Sequence, residues 1–165
     1  MRLFDTHCHL NDEAYQKDLP EVIAQARTAG GEQMLVVGYD LPSSQRALQL
    51  AEAEEGIYAA VGIHPHDAAT VTDNDLRGLE ALLAHPQAVA LGEIGLDFHY
   101  DFSPRDVQRE VFLTQLEMAR ALDLPAIFHV REAHGEMLAL LEARRGRLPG
   151  GVMHSYSGST ESTKQ

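Results

Sequence analysis

The sequence predicts an α/β fold built on a parallel sheet, and three observations predict it. Short apolar runs alternate with longer amphipathic stretches along the chain. The runs are near-continuously apolar, as strands buried on both faces of a parallel sheet are. They recur at a mean step of about 30 residues, the length of a strand–helix–strand unit.

Strands are expected at residues 3–6, 33–38 ("QMLVVG"), 57–63 ("IYAAVGI"), 88–93 ("AVALGE"), 125–130 ("PAIFHV") and 151–154 ("GVMH"). Asp18 and Pro20 open a first helix, with Leu19, Val22, Ile23 and Ala26 at helical spacing and Gly30 closing it. Pro42 sits in the first turn of the second, which Gly56 ends. Asp73 is placed to cap the third, with Leu76, Leu79 and Leu83 on one face. Ser103 and Pro104 open the longest, which runs through Val107, Val111, Leu116 and Ala119 to about Leu122. Residues 132–145 make a fifth, and "STESTKQ" starts another. Polar caps, early proline and late glycine punctuate such helices. A doubly wound sheet and a (β/α)₈ barrel both fit the alternation. A barrel of eight units needs ~250 residues, more than are present.

Composition narrows the chemistry. The 165 residues read as one domain, residues 1–165, and 44% hydrophobic content gives a sizeable core. Thirteen basic against 25 acidic residues give a net charge of −12. A groove that holds nucleic acid by Lys and Arg alone would be more basic. An acidic protein handles phosphate when metal ions supply the positive charge. The single cysteine, Cys8, excludes an intrachain disulfide and Cys-only metal sites. The N-terminal segment lacks a signal-peptide core, and no apolar window reaches the ~18 residues of a membrane span, so a reduced cytoplasmic setting is expected. Dinucleotide, Walker A, nucleophile-elbow and HExxH motifs are absent.

The histidines share a location. Of nine, five fall at or just past the C-terminal end of an expected strand: His7, His9, His64, His129 and His154. Glu93 ends its strand in the same way, and active sites of parallel α/β folds gather at that edge. Strand alternation points His7 and His9 to one side and Cys8 to the other. A carboxylate between two sets of imidazoles suits a bridge between two divalent ions, which can clamp both oxygens of a displacement. His64, His66, Asp97 and Arg131 are candidate substrate contacts, and His99 can reach the site. Cys8 reads as a small buried residue, and His85 and His134 as surface residues.

The segments "DTHCHL", "GIHPH", "GEIGLDFHYDFSPRDVQREVF", "HVREA" and "HSYSGS" resemble, in order and spacing, the TatD family of metal-dependent hydrolases in the amidohydrolase superfamily. The resemblance runs from residue 3 to about residue 160. It implies a (β/α)₈ barrel of which about six units are present. It also implies two divalent ions (Mg, Mn or Zn): His7 and His9 on the first, Glu93 bridging, His129 and His154 on the second. The implied activity is 3′–5′ exonuclease cleavage of single-stranded or damaged DNA. Ester, amide or lactone hydrolysis is the alternative within the superfamily. Family members carry a further aspartate ligand in a "TD-x-P" context on the eighth strand, and no aspartate follows Asp123 here. A chain truncated at its C-terminus is therefore expected, either inactive or self-associating through two open sheet edges.

Overall fold

The computed structural model describes residues 2–146 and 150–164. Six strands form one sheet: β1 (Leu3–Cys8), β2 (Gly31–Val37), β3 (Ile57–Val61), β4 (Ala88–Asp97), β5 (Ala126–Arg131) and β6 (Gly151–Met153). Between them run α1 (Leu19–Thr28), α2 (Leu41–Ala53), α3 (Asp73–Leu83), α4 (Arg105–Leu122) and α5 (His134–Glu142). Strand order in the sheet equals order in the chain, and every neighbouring pair is parallel. A doubly wound sheet reverses its order at a switch point. This one never does, so it is six consecutive units of a (β/α)-barrel wall.

The two faces of the sheet are covered unequally. Val36, Ala59, Leu91, Leu96 and Phe128 join Ile23, Leu48, Leu79, Phe112 and Leu116 from the helices in one large core. Each fully buried Leu, Ile or Phe in it contributes about 1.5–3 kcal/mol. Alternate strand positions, Leu35, Val37, Ala60, Ala90 and Ile127, make a second, smaller cluster. The period of two puts His129 and Arg131 on the same face of β5 as Ile127.

Several elements differ from the sequence expectation. β1 and β6 are largely exposed rather than buried on both faces. They are the edges of the sheet, and Leu3, Phe4 and Val152 lack a neighbouring strand to cover them. β4 does not end at Glu93 but continues to Asp97. Its register with β5 shifts between Leu91 and Ile94, and the Gly92–Glu93 peptide is cis. Gly95 explains how the strand continues: with φ +152, a Cβ there would lie 1.9 Å from the His129 carbonyl oxygen. Only glycine allows β4 and β5 to approach so closely. Thr72, not Asp73, caps α3: its hydroxyl accepts from the Asp75 N–H while the Asp75 carboxylate accepts from the Thr72 N–H. Thr72 has the extended backbone that a cap requires. The C-terminal helix is a short 3₁₀ turn, Ser162–Lys164, and Gln165 lies outside the described residues.

α4 holds the strand ends in place through two glutamines seven residues apart, hence on one helix face. Gln115 accepts from the Ile63 N–H at 2.8 Å and donates to the Ile63 carbonyl at 3.0 Å. Gln108 accepts from the Asp97 N–H at 2.9 Å and donates to the Asp97 and Ser103 carbonyls at 3.0 and 2.8 Å. Both side chains are fully buried and act as a substitute strand where β3 and β4 leave the sheet. Gln115→Leu keeps the bulk but orphans two buried backbone groups. It is expected to cost on the order of 3 kcal/mol in urea unfolding; a loss below ~1 kcal/mol would contradict the clamp.

Candidate metal centre

The end of β1 supplies the first side chains. His7 and His9 point to the same side, and their Nε2 atoms lie 3.2 Å apart. Cys8 points away and donates to the Leu35 carbonyl at 3.4 Å. Burial, with Asp5 nearby, pushes its thiol up to about 11, so it stays a thiol and a poor ligand. The His9 Nδ1 lies 3.0 Å from the Val37 carbonyl, which also accepts from Asn11. Asn11 further donates to the Ser43 carbonyl, tying the exit of β1 to β2 and α2.

Glu93 is the centre of the arrangement. Its side chain is 6% exposed, with Oε2 3.4 Å from the His7 Nε2 and 4.0 Å from the His9 Nε2. Its other oxygen, Oε1, lies 3.0 Å from the His129 Nδ1 at the end of β5. His154, just past β6, stacks on His7 with ring centroids 3.5 Å apart. Donor atoms of His7, Glu93 and His154 all fall within 4.8 Å of one another. So do those of His64, His66 and His129, which form a second group. The sequence reading pairs His129 with His154 and assigns His64 and His66 to substrate; the geometry sets His129 beside His64 and His66, and Glu93 touches both groups.

Asp97 backs the second group. It is fully buried, with Oδ2 2.8 Å from the His66 Nε2 and 3.1 Å from the His129 Nε2. Burial alone would raise its pKa, but the Tyr100 backbone N–H and the His66 and His129 rings hold it down at about 2. Burial would likewise raise Glu93, yet hydrogen bonds from His129 and His7 keep it far below the usual carboxylate range. Burial, reinforced by His129, drives His64 down to about 3, so its imidazole is neutral at physiological pH. Burial and His7 lower His154 as well. Burial also works to lower His129, but Glu93 and Asp97 outweigh it and raise the ring above its ordinary value.

These donors fit a divalent cation. Imidazole lone pairs and an ionised carboxylate converge, and the two Nε2 atoms on β1 face each other at hydrogen-bond distance. The His7 Nδ1 is buried with no hydrogen-bond partner, so a hydrogen bond at that nitrogen does not account for the ring's burial. Mixed nitrogen and oxygen donors suit Zn, Mn or Fe, and the carboxylates admit Mg.

The remaining candidates lie at the rim or outside it. Arg131 is exposed, its guanidinium 4.7 Å from the centre of the Tyr100 ring. His99 pairs with Glu132 at 2.8 Å and belongs to neither donor group. His85 is half-buried and bonded to Glu52 at 3.0 Å, not freely solvated. His134 is half-buried rather than fully exposed: Tyr156, in the segment after β6, packs edge-on to it at 5.3 Å. Sequence reasoning missed Asn11, Gln108 and Gln115. The glutamines were visible as amides recurring on the apolar face of α4; Asn11 gave no signal.

A barrel wall whose strand ends carry clustered imidazoles and carboxylates defines a β/α-barrel protein with its polar site at the C-terminal edge. The model of the family described as TatD related DNase matches residues 4–165, and the chain belongs to that family. It is 44% identical over 163 residues to the uncharacterized metal-dependent hydrolase YabD of Bacillus subtilis, covering 99% of this chain and 64% of YabD. It is 39% identical to the 3′-5′ ssDNA/RNA exonuclease TatD of Cronobacter turicensis, with 99% and 62% covered. Among solved structures, the TatD homologue YJJV of Escherichia coli superposes with a TM-score of 0.92 at 33% identity, covering 99% of this chain and 63% of YJJV. The chain thus spans under two thirds of the length of these relatives.

The depressed Asp97 carboxyl sets an acid limb of stability. A carboxyl lowered by folding stabilises the native state above its unfolded value of 3.8, and that contribution is lost as pH falls toward about 2. Urea midpoints followed between pH 4 and 2 are expected to show wild type losing on the order of 2 kcal/mol more than Asp97→Asn. Parallel profiles would contradict this assignment.

Proposed function

We propose that this chain carries the metal-binding part of a divalent-metal-dependent hydrolase that cleaves phosphodiester bonds, acting as a 3′–5′ exonuclease on single-stranded nucleic acid. The observation that carries the proposal is the buried, ionised Glu93 carboxylate, with one oxygen toward His7 and the other toward His129. The names of two relatives, a metal-dependent hydrolase and a 3′-5′ ssDNA/RNA exonuclease, support the same reading.

In this proposal His7, His9, Glu93 and His154 hold one ion, and Glu93 with His129 contributes to a second, beside His64 and His66. Bound Mg, Mn or Zn would supply Lewis acidity, activating water and offsetting charge on the phosphoryl oxygens. Glu93 stays anionic in a nearly dry position, so it holds cations without competition from its own proton. His64 stays neutral and can donate an N–H to a substrate oxygen. Asp97 fixes the His66 ring, and Arg131 offers a cation at the rim. A net charge of −12 disfavours a long duplex, whose phosphates would meet a like-charged surface; a short, end-bound single strand is repelled less.

The test is release of mononucleotides from a 3′-labelled single-stranded oligonucleotide in Mn²⁺ or Mg²⁺, run beside a panel of esters and amides. A chelator is expected to stop release, and Glu93→Ala to lower it about a hundredfold or more. Metal at 100 times its dissociation constant is expected to stabilise the fold by about 2.7 kcal/mol. Equal rates or equal metal stabilisation for wild type and Glu93→Ala would overturn the metal role.

A further inference from the structure

The segment between β4 and α4 presents two large aromatic rings to solvent beside the second donor group. Phe102 is 66% exposed and Tyr100 is 47% exposed. Their rings stack on each other, centroids 5.3 Å apart and planes 21° apart. Both meet His66 edge-on, Phe102 at 4.8 Å and Tyr100 at 5.5 Å. Arg131 lies over the Tyr100 ring at 4.7 Å, and among the described residues it has no carboxylate partner within ion-pair distance.

This is not a loose loop that happens to expose its rings. Asp97 accepts from the His99 and Tyr100 N–H groups at one end. At the other, the buried Ser103 hydroxyl donates to the His66 carbonyl and accepts from the Ala69 N–H, while Gln108 donates to the Ser103 carbonyl. Between the rings, Asp101 adopts a left-handed φ of 50° and pairs with Arg105 at 2.6 Å. The side chains of His99, Asp101 and Ser103 are anchored, while Phe102 and part of Tyr100 are left open to solvent. Two exposed rings in contact make a contiguous apolar patch of the kind that marks a binding surface.

We propose that Tyr100 and Phe102 form a stacking platform for the nucleobase next to the bond being cleaved, with Arg131 beside them to meet a phosphate. The inference rests on the nucleic-acid reading above and adds how the strand is held. Stacking on an aromatic face tolerates any base, so the platform gives grip without sequence preference. It suits an acidic protein, because base stacking supplies affinity that a net charge of −12 cannot. An unstacked, single-stranded end can reach such a surface, whereas a paired base inside a duplex cannot.

The test uses a short phosphorothioate-linked single strand with 2-aminopurine as its 3′-terminal base, bound to the chain in Mn²⁺. The chain has no tryptophan, so the probe can be excited alone. Stacking is expected to quench it. Phe102→Ala is expected to remove the quenching and weaken binding about tenfold, Tyr100→Ala to weaken it less, and Phe102→Trp to restore both. An abasic 3′ end is expected to lower wild-type affinity to that of Phe102→Ala, with no further loss in the variant. Phe102 is exposed, so circular dichroism of the variants is expected to match wild type. Binding with unchanged quenching and affinity in Phe102→Ala and Tyr100→Ala would overturn the platform alone. No binding of any oligonucleotide to wild type would overturn the nucleic-acid reading, and the platform with it.

Discussion

One buried carboxylate organises this molecule's polar edge. Glu93 is almost removed from water, yet it is held ionised by imidazoles on either side. An isolated buried anion is expensive, and it persists only where donors or cations compensate it. His7 and His129 come from strands that are not neighbours in the sheet, so the compensation draws opposite parts of the wall together. The other site side chains follow: His154 packs on His7, and Asp97 fixes His129 and His66.

Holding such a centre requires the strand ends to stay fixed where the sheet stops supplying hydrogen bonds. Side-chain amides do this. Gln108 and Gln115 satisfy the backbone of Asp97 and Ile63, and Asn11 does the same at Val37. The glycines of β4 serve the same end by another route. Without a Cβ at position 95 the chain passes close to His129, so the two strands that carry Glu93 and His129 can approach. Rigidity at the edge is therefore built from polar contacts behind the site, while its front is left to imidazole, carboxylate and aromatic faces.

Charge and shape then divide the work. A strongly acidic chain repels polyanions at a distance, so the affinity that the proposed function calls for would have to arise locally. Under the proposed function, cations held by the donor groups would act on the reacting phosphate, and uncharged stacking would act on its neighbouring base. The two lie side by side because His66 belongs to a donor group and also touches Phe102 and Tyr100.

Much of the fold was legible in the sequence because its signals are local. Apolar runs, helix caps and their spacing depend on near neighbours, and they located the six strands and five helices within a few residues. The gathering of His7, His9, Glu93, His64, His129 and His154 at one edge was legible for the same reason, since each follows or closes an apolar run. The alternation of elements alone left a barrel wall and a doubly wound sheet open; the family resemblance implied the barrel, and the strand order bears it out. The exposure of β1 and β6 accords with the two open edges that a wall of six units implies, although their apolar runs by themselves read as buried. The grouping of His129 with His64 and His66 came from the curvature and register that set side chains from different strands beside one another, distances that sequence spacing does not carry.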